Sequence, residues 1–304
     1  MIRDSVKTAI KSRLGRAGKL AYIGFLLILS NYSSAANRFW ISAVSANWNS
    51  TANWATTSGG LGGASVPVAG DAVFFDNGGL GDCIINIPVT ITSINVNVTY
   101  SGTISQGVNA ITTSGASTFS GGIFSGGSAD IIFGGAFTLS GTNFTSTSTT
   151  TEFRSNTAFS LGSFNHNNGS VKYNCTSVGA QTISGTSPVF NNLEFVGLGK
   201  TYTISSAGNI TVLGNLAISG ALLININTGA IDANGDIIIT NTATGCGGSA
   251  TINIIGTGIQ NFTGSATAGQ GSLPKLNINK TSGVLNLFNF PGVSKNFTFT
   301  SGTI

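Results

Sequence analysis

Gly169-Ser-Val-Lys-Tyr-Asn-Cys175 and, shortly after it, Gly179-Ala-Gln-Thr-Ile-Ser-Gly185 decide the fold, because both return further along the chain. One constant offset carries Gly169 onto Gly248-Ser-Ala-Thr-Ile-Asn253 and Gly179 onto Gly258-Ile-Gln-Asn-Phe-Thr-Gly264. After a four-residue insertion near Gly269 to Ser272, Asn192-Leu-Glu-Phe195 falls on Lys275-Leu-Asn-Ile278, and Ser219-Gly220 meets Ser301-Gly302. Gly135-Ala-Phe-Thr-Leu-Ser-Gly141 is a fainter echo. The clear copies thus cover 169–220 and 248–302 of a repeat region that runs over 83–304. Repetition of this kind marks a solenoid or array, in which each unit buries its apolar face against its neighbours.

Within the first copy the period is two. Val171, Tyr173 and Cys175 alternate with Lys172 and Asn174, and Leu216 and Ile218 continue the alternation. Such spacing gives strands with one dry face and one face of Asn, Thr and Ser. Beyond Ala36 no stretch of helix length shows an i, i+3, i+4 apolar pattern. Tandem sandwiches, a propeller and a parallel β-helix all fit strands without helices. Asn-Gly hairpin signals are few, with Asn168-Gly169 and Asn234-Gly235 the main ones, which disfavours the antiparallel options. The pattern therefore predicts an all-β chain forming a right-handed parallel β-helix. At roughly 22 residues per coil and about 4.8 Å per rung, it predicts about a dozen coils and a rod of roughly 55 Å. The step from Gly169 to Gly248 would then span three to four coils. Thr145-Ser-Thr-Ser-Thr-Thr-Thr151 fits a loop or an exposed β-branched strand equally well.

Composition narrows the function classes. Only 7% of the 304 residues are charged, 41% are hydrophobic and 43 are Gly. The formal charge is +4, but the segment 1–36 alone carries +5, leaving −1 beyond it. A chain without a basic patch lacks the footprint that phosphate backbones require, so nucleic acid is not an expected partner. Cys83, Cys175 and Cys246 are scattered and odd in number, as buried small hydrophobes would be.

Residues 1–36 read as a signal peptide. A basic segment precedes Leu20-Ala-Tyr-Ile-Gly-Phe-Leu-Leu-Ile-Leu29, and Ser34-Ala-Ala36 supplies small residues for cleavage. That apolar run is too short to span a bilayer, so no membrane span is expected after cleavage. The expected location is outside the cell or on its outer surface. Residues 37–82 form a block of their own, an N-terminal cap that holds all three tryptophans, Trp40, Trp48 and Trp54. Exposed indoles would form a sugar-binding platform, whereas buried ones would close the open end of a solenoid core.

The one histidine, His166, sits in the turn-like Asn165-His-Asn-Asn-Gly169. The eight acids beyond the leader are Asp71, Asp76, Asp82, Asp130, Glu152, Glu194, Asp232 and Asp236. Asp232-Ala-Asn-Gly-Asp236 resembles part of a calcium loop without its later Glu, so Asp232 and Asp236 are candidate ligands for adventitious calcium only. No other cofactor is expected. A carbohydrate-active site would need acids converging with Arg154 or Lys172 on one face. Thr90-Ile-Thr92, Thr201-Tyr-Thr203 and Thr298-Phe-Thr300 are too irregular for a flat Thr-ladder surface.

The opening Arg38-Phe-Trp40, Asn47-Trp-Asn-Ser-Thr-Ala-Asn-Trp54 and Ser65-Val-Pro-Val-Ala-Gly-Asp-Ala-Val-Phe-Phe-Asp76 resemble the start of large secreted surface proteins of Bacteroidetes-type bacteria. Val189-Phe-Asn-Asn-Leu-Glu-Phe195 and Leu213-Gly-Asn-Leu-Ala-Ile-Ser-Gly220 are similar to their Gly-, Asn- and Thr-rich β-helical repeats, and also to autotransporter-like passengers. The resemblance implies an adhesin or structural stalk, with surface polysaccharide or other cell-surface components as partners. Members of that group usually end in a sorting domain that this chain does not show, and the second copy stops short of the first, so a truncated product is expected. The alternative is a carbohydrate-active β-helix of the polysaccharide lyase or hydrolase kind.

Overall fold

The computed structural model describes residues 35–264, 270–289 and 296–304. The signal-peptide reading of 1–36 therefore falls, but for its last two residues, outside the described residues. Asn37–Ile304 is a compact unit by itself and is a parallel β-helix of about eleven turns. Its only described helix is the single 3-10 turn Thr51–Asn53.

Each turn lays down up to three short strands, and each strand pairs in parallel with its counterpart in the next turn, building three walls. The third wall is the most regular, from Val89–Ile91 through Ile111–Thr113, Ile131–Phe133, Thr150–Phe153, Ser170–Tyr173, Asn192–Val196 and Leu216–Ser219 to Ile237–Ile239. Alternation explains its packing. Ile111, Ile131, Thr151, Val171, Leu193, Leu216, Ile237 and Phe262 stack rung upon rung, all pointing inward and all buried. The spacing is constant from Ile111 through Ile131 and Thr151 to Val171, and it lengthens afterwards. Parallel strands need a crossover to return to register. Here the other two walls are that crossover, so no helix is required.

The core of the early turns is aromatic. Phe119, Phe124, Phe137 and Phe144 form edge-to-face and stacked pairs, the closest being Phe124 and Phe144 at 4.6 Å. Such contacts add to area burial and fix ring orientation. In the polar run at 145–151 strand Phe137–Thr145 ends, a bend follows, and strand Thr150–Phe153 begins with Thr151 buried, so the loop reading holds in part and the exposed-strand reading does not.

The block at 37–82 belongs to the helix itself. Strand Asn37–Trp40 pairs in parallel with Ala72–Phe75, the next rung of the first wall. On its other side it pairs antiparallel with Trp54–Ala55, which reverses the chain across that edge. An edge covered by a reversed strand no longer offers the parallel template on which further coils add.

The sequence repeat does not superpose wall on wall. Lys172 and Tyr173 lie in the third wall, whereas their counterparts Thr251 and Ile252 lie in the second, in strand Thr251–Ile254. Likewise Gln181 stands in the first wall and Gln260 in the third. The offset between the copies is therefore three coils and two walls, within the expected three to four coils. Ile224–Asn227 is the last first-wall strand among the described residues, and the chain crosses beside it as a loop joined by the bridge Asn225 to Gly247 and by the bonds Ala250 N to Ile226 O and Ser249 N to Asn227 Oδ1.

Candidate functional site

The outer face of the third wall carries a cluster of two acids and two cations. Glu152, Lys172 and Glu194 occupy the same outward column on successive rungs. Arg154 Nε donates to Glu152 Oε1 at 2.5 Å, and Asn174 Nδ2 donates to the same oxygen at 3.0 Å. Lys172 Nζ lies 3.7 Å from Glu194 Oε2, and Ser219 Oγ donates to Glu194 Oε1 at 2.5 Å. Glu152 and Glu194 are thus two rungs apart, about 10 Å by strand spacing, with an ammonium between them. Exposed ion pairs of this kind add little stability, roughly 0–1 kcal/mol each.

The remaining acids do not converge there. Asp76 Oδ1 caps Gly78 N at 2.8 Å, Asp82 Oδ1 accepts from Thr103 N at 2.7 Å, and Asp130 Oδ1 from Thr150 N at 3.1 Å. Asp71 is fully buried, accepts from Val68 N at 3.1 Å and faces Arg38 Nε at 3.7 Å. Each carboxylate thereby answers a backbone N–H or a cation that the turn would otherwise leave unpaired.

Asp232 and Asp236 are members of amide ladders. Asn209 Nδ2 reaches both oxygens of Asp232 at 3.0 Å, and Asn253 Nδ2 reaches Oδ1 at 2.7 Å. The ladder continues as Asn277 Nδ2 donates to Asn253 Oδ1 at 3.2 Å and Thr300 Oγ1 to Asn277 Oδ1 at 2.9 Å. Asp236 accepts from Asn261 N at 2.8 Å and Asn261 Nδ2 at 3.2 Å. A calcium ion would have to displace these donors. No group of three His, Cys, Asp or Glu able to hold a metal occurs among the described residues.

The tryptophans offer no sugar platform, because Trp40, Trp48 and Trp54 are each 0% exposed. They pack edge to face, with Trp54 5.2 Å from Trp40 and 4.7 Å from Trp48, over Phe75. Trp40 Nε1 donates to Gly81 O and Trp54 Nε1 to Trp48 O. The period of two explains the placement: in Arg38-Phe39-Trp40 the indole points inward and Phe39 outward, where it stacks on Phe74 at 4.9 Å. The half-buried aromatic pair on that outer face is thus Phe39 and Phe74, which composition alone did not single out.

Comparison with protein-family models, with curated proteins and with solved structures finds no match for this chain. The site is therefore read from its own chemistry. His166 is a turn residue whose Nδ1 accepts from Asn168 N at 3.0 Å. All three cysteines are free and buried, and burial pushes each thiol above its usual range, so they stay protonated and unreactive. Among the described residues no helix is long and apolar enough to cross a membrane.

Two features escaped the sequence. Buried glutamines at turn corners, Gln106, Gln181 and Gln260, each donate Nε2 to two backbone carbonyls. Glutamine is usually exposed, and nothing in its local spacing marks it as interior. The second is a concavity above Asn225 and Asn227, where the first wall stops. It depends on a strand being absent from one rung, which no residue pattern announces.

Proposed function

We propose that this chain is a non-catalytic, secreted or cell-surface β-helical protein acting as an adhesin or structural stalk. The observation that supports this reading is the continuous stack of parallel rungs whose outer groups are mostly neutral amides and hydroxyls joined rung to rung, as in Asn209, Asp232, Asn253, Asn277 and Thr300. Such a face is stiff and nearly uncharged. It supports binding through many weak hydrogen bonds to surface polysaccharide or other cell-surface components, and it holds whatever is attached to it at a distance of roughly 50 Å, from about 4.8 Å per turn.

The test is to express the chain with residues 1–36 in a bacterial host and treat intact cells with protease. Cleavage on intact cells, or recovery from the medium, together with binding of purified protein to cell-surface polysaccharide, is the expected outcome. Retention in the cytoplasm together with no such binding would overturn the reading.

A second reading rests on Glu152, Lys172 and Glu194 sharing one column. Two carboxylates flanking a cation on an open face have the makings of a carbohydrate-active site, with one acid and one base acting across a glycosidic bond. Incubation with neutral and acidic polysaccharides decides it. Release of new reducing ends that is lost in both Glu152→Gln and Glu194→Gln would favour an enzyme.

A further inference from the structure

The concavity left where the first wall ends has a volume of about 490 Å³, inside the range of roughly 300–1,000 Å³ typical of ligand pockets. Its floor is the outer edge of the last first-wall strand, with Asn225 and Asn227 pointing outward. Its roof is the loop Gly245 to Ser249, with Ser272 behind. The loop is held by Gly247 N donating to Ile224 O at 3.0 Å and by Ser249 N donating to Asn227 Oδ1 at 3.0 Å. Gly245 and Gly248 have φ of +72° and +112°. At Gly248 a Cβ would strike the Ile226 carbonyl, so glycine there lets the loop lie close against the last first-wall strand.

We propose that this notch binds a neutral saccharide ring. The lining has no charged side chain, and Cys246, its one titratable group, is held protonated by burial, with Sγ turned to Asn241 Oδ1 at 3.2 Å. A charged ligand would lose its water there and gain no counter-charge. The polar groups are nevertheless available. The side chains of Asn225 and Ser272 make no hydrogen bond to any described residue, and Asn227 uses its oxygen but not its Nδ2. Two amides and a hydroxyl supply donors and acceptors side by side, the complement of adjacent sugar hydroxyls, each of which both donates and accepts. An apolar contact for the C–H face of a ring lies alongside. Leu223 is 38% exposed, and its Cδ1 is 3.7 Å from the place a Cβ on Gly245 would take.

On the second wall the same residue types are engaged. The ladder of Asn209, Asp232, Asn253 and Asn277 bonds to itself. A second cleft, between Phe159 and Pro188, encloses about 160 Å³, and its Thr186 hydroxyl already donates to Phe159 O at 2.7 Å. Above Asn225 a missing rung leaves amides facing an open space of ligand size. The inference rests on the adhesin reading and supplies the ligand class for it.

The test uses the secreted chain and measures binding of soluble linear oligomers of glucose, mannose and galactose by calorimetry, with oligogalacturonate as the acidic comparison. At least one neutral oligomer should bind while the acidic one does not. The double variant Asn225→Ala, Ser272→Ala should weaken that binding about tenfold or more with an unchanged melting temperature, since neither side chain hydrogen-bonds to a described residue. Asn225→Leu, which fills the notch, should do the same. Neutral-oligomer binding that survives in these variants would overturn the site and leave the adhesin reading standing. No neutral-oligomer binding by the parent would overturn the site as well, and adhesion of the same protein to whole cells would then decide the broader reading by itself.

Discussion

Gln181 and Gln260 build the same corner on different walls. Gln181 Nε2 donates to Phe153 O at 3.1 Å and Ser155 O at 2.5 Å; Gln260 Nε2 donates to Ala233 O at 3.1 Å and Gly235 O at 2.7 Å. Their other ends differ. Gln181 Oε1 is buried with no partner among the described residues, whereas Gln260 Oε1 accepts from Lys280 Nζ at 2.6 Å. Lys280 is 1% exposed and also donates to Gly256 O and, at 3.0 Å, Gly258 O, so its three ammonium hydrogens meet three oxygens. Truncating either glutamine takes a donor from two carbonyls, of which Phe153 O and Ala233 O still accept from Asn174 N and Ile255 N. Truncating Gln260 also strips a buried ammonium of one acceptor. Gln260→Leu should therefore cost about 1–3 kcal/mol more than Gln181→Leu in urea unfolding. Equal costs would show that the Lys280 bond contributes nothing.

Ile218 and Ala217 are neighbours on one strand with opposite fates. Ile218 is 2% exposed in the core column between Phe195 and Ile239, while Ala217 lies on the outer face between Glu194 and Ile238. Ile218→Asp, like Leu216→Asp, buries an unpaired charge and should cost several kcal/mol, on the order of 4. Ala217→Asp should change stability by about 0.5 kcal/mol or less, apart from a small repulsion from Glu194. Thermal melting of the variants checks both values, and similar losses at the two positions would contradict the assigned faces.

The strands were legible because burial follows a period of two, and the period survives at nearly every rung from Val89 to Ile239. The length of the coil was less so. Its most regular stretch links Ile111, Ile131, Thr151 and Val171 at one constant spacing, and these four share a position but are of three residue types, one of them, Thr151, polar. The copies that are legible as sequence, at 169 and 248, fall on different walls, since a local motif specifies a strand and its corner and not the wall on which it lands. The tryptophans show the same limit. Their clustering was visible, but only the alternation with Phe39 tells that the indoles face inward.

Alkali should loosen the fold. Burial raises the thiol of Cys83 well above 9.0 and those of Cys175 and Cys246 above the same value, and it raises the phenols of Tyr100, Tyr173 and Tyr202 above 10.0. Each raised group keeps its proton in the folded chain at a pH where the unfolded chain has lost it. The stability it contributes is thus complete below the unfolded value and lost as pH rises through the folded one. Lys280 acts in the opposite sense, because burial lowers its value below 10.5 and folding then gains as pH climbs toward that point. Six groups oppose one, so the melting temperature should fall between about pH 9 and pH 11. Cys83→Ala should make the early part of that fall shallower; a melting temperature that stays level across the range would contradict the burial of these groups.

Calcium gives the last discrimination, because Asp232 has two distinct uses open to it. If its carboxylate serves the amide ladder, three donor contacts from Asn209 and Asn253 already occupy it, and a cation must break them before it gains anything. Millimolar calcium or a chelator should then leave the melting temperature unchanged. Asp232→Asn keeps the shape but replaces one acceptor oxygen with a donor facing the Asn209 and Asn253 amides. Charge-assisted bonds are the stronger ones, so this exchange should destabilise by about 1–3 kcal/mol, equally with and without calcium. Had Asp232 and Asp236 been metal ligands, the parent would melt higher in calcium and the variant would lose that increment. A calcium-dependent rise in the parent that disappears in Asp232→Asn would therefore replace the ladder with a metal site.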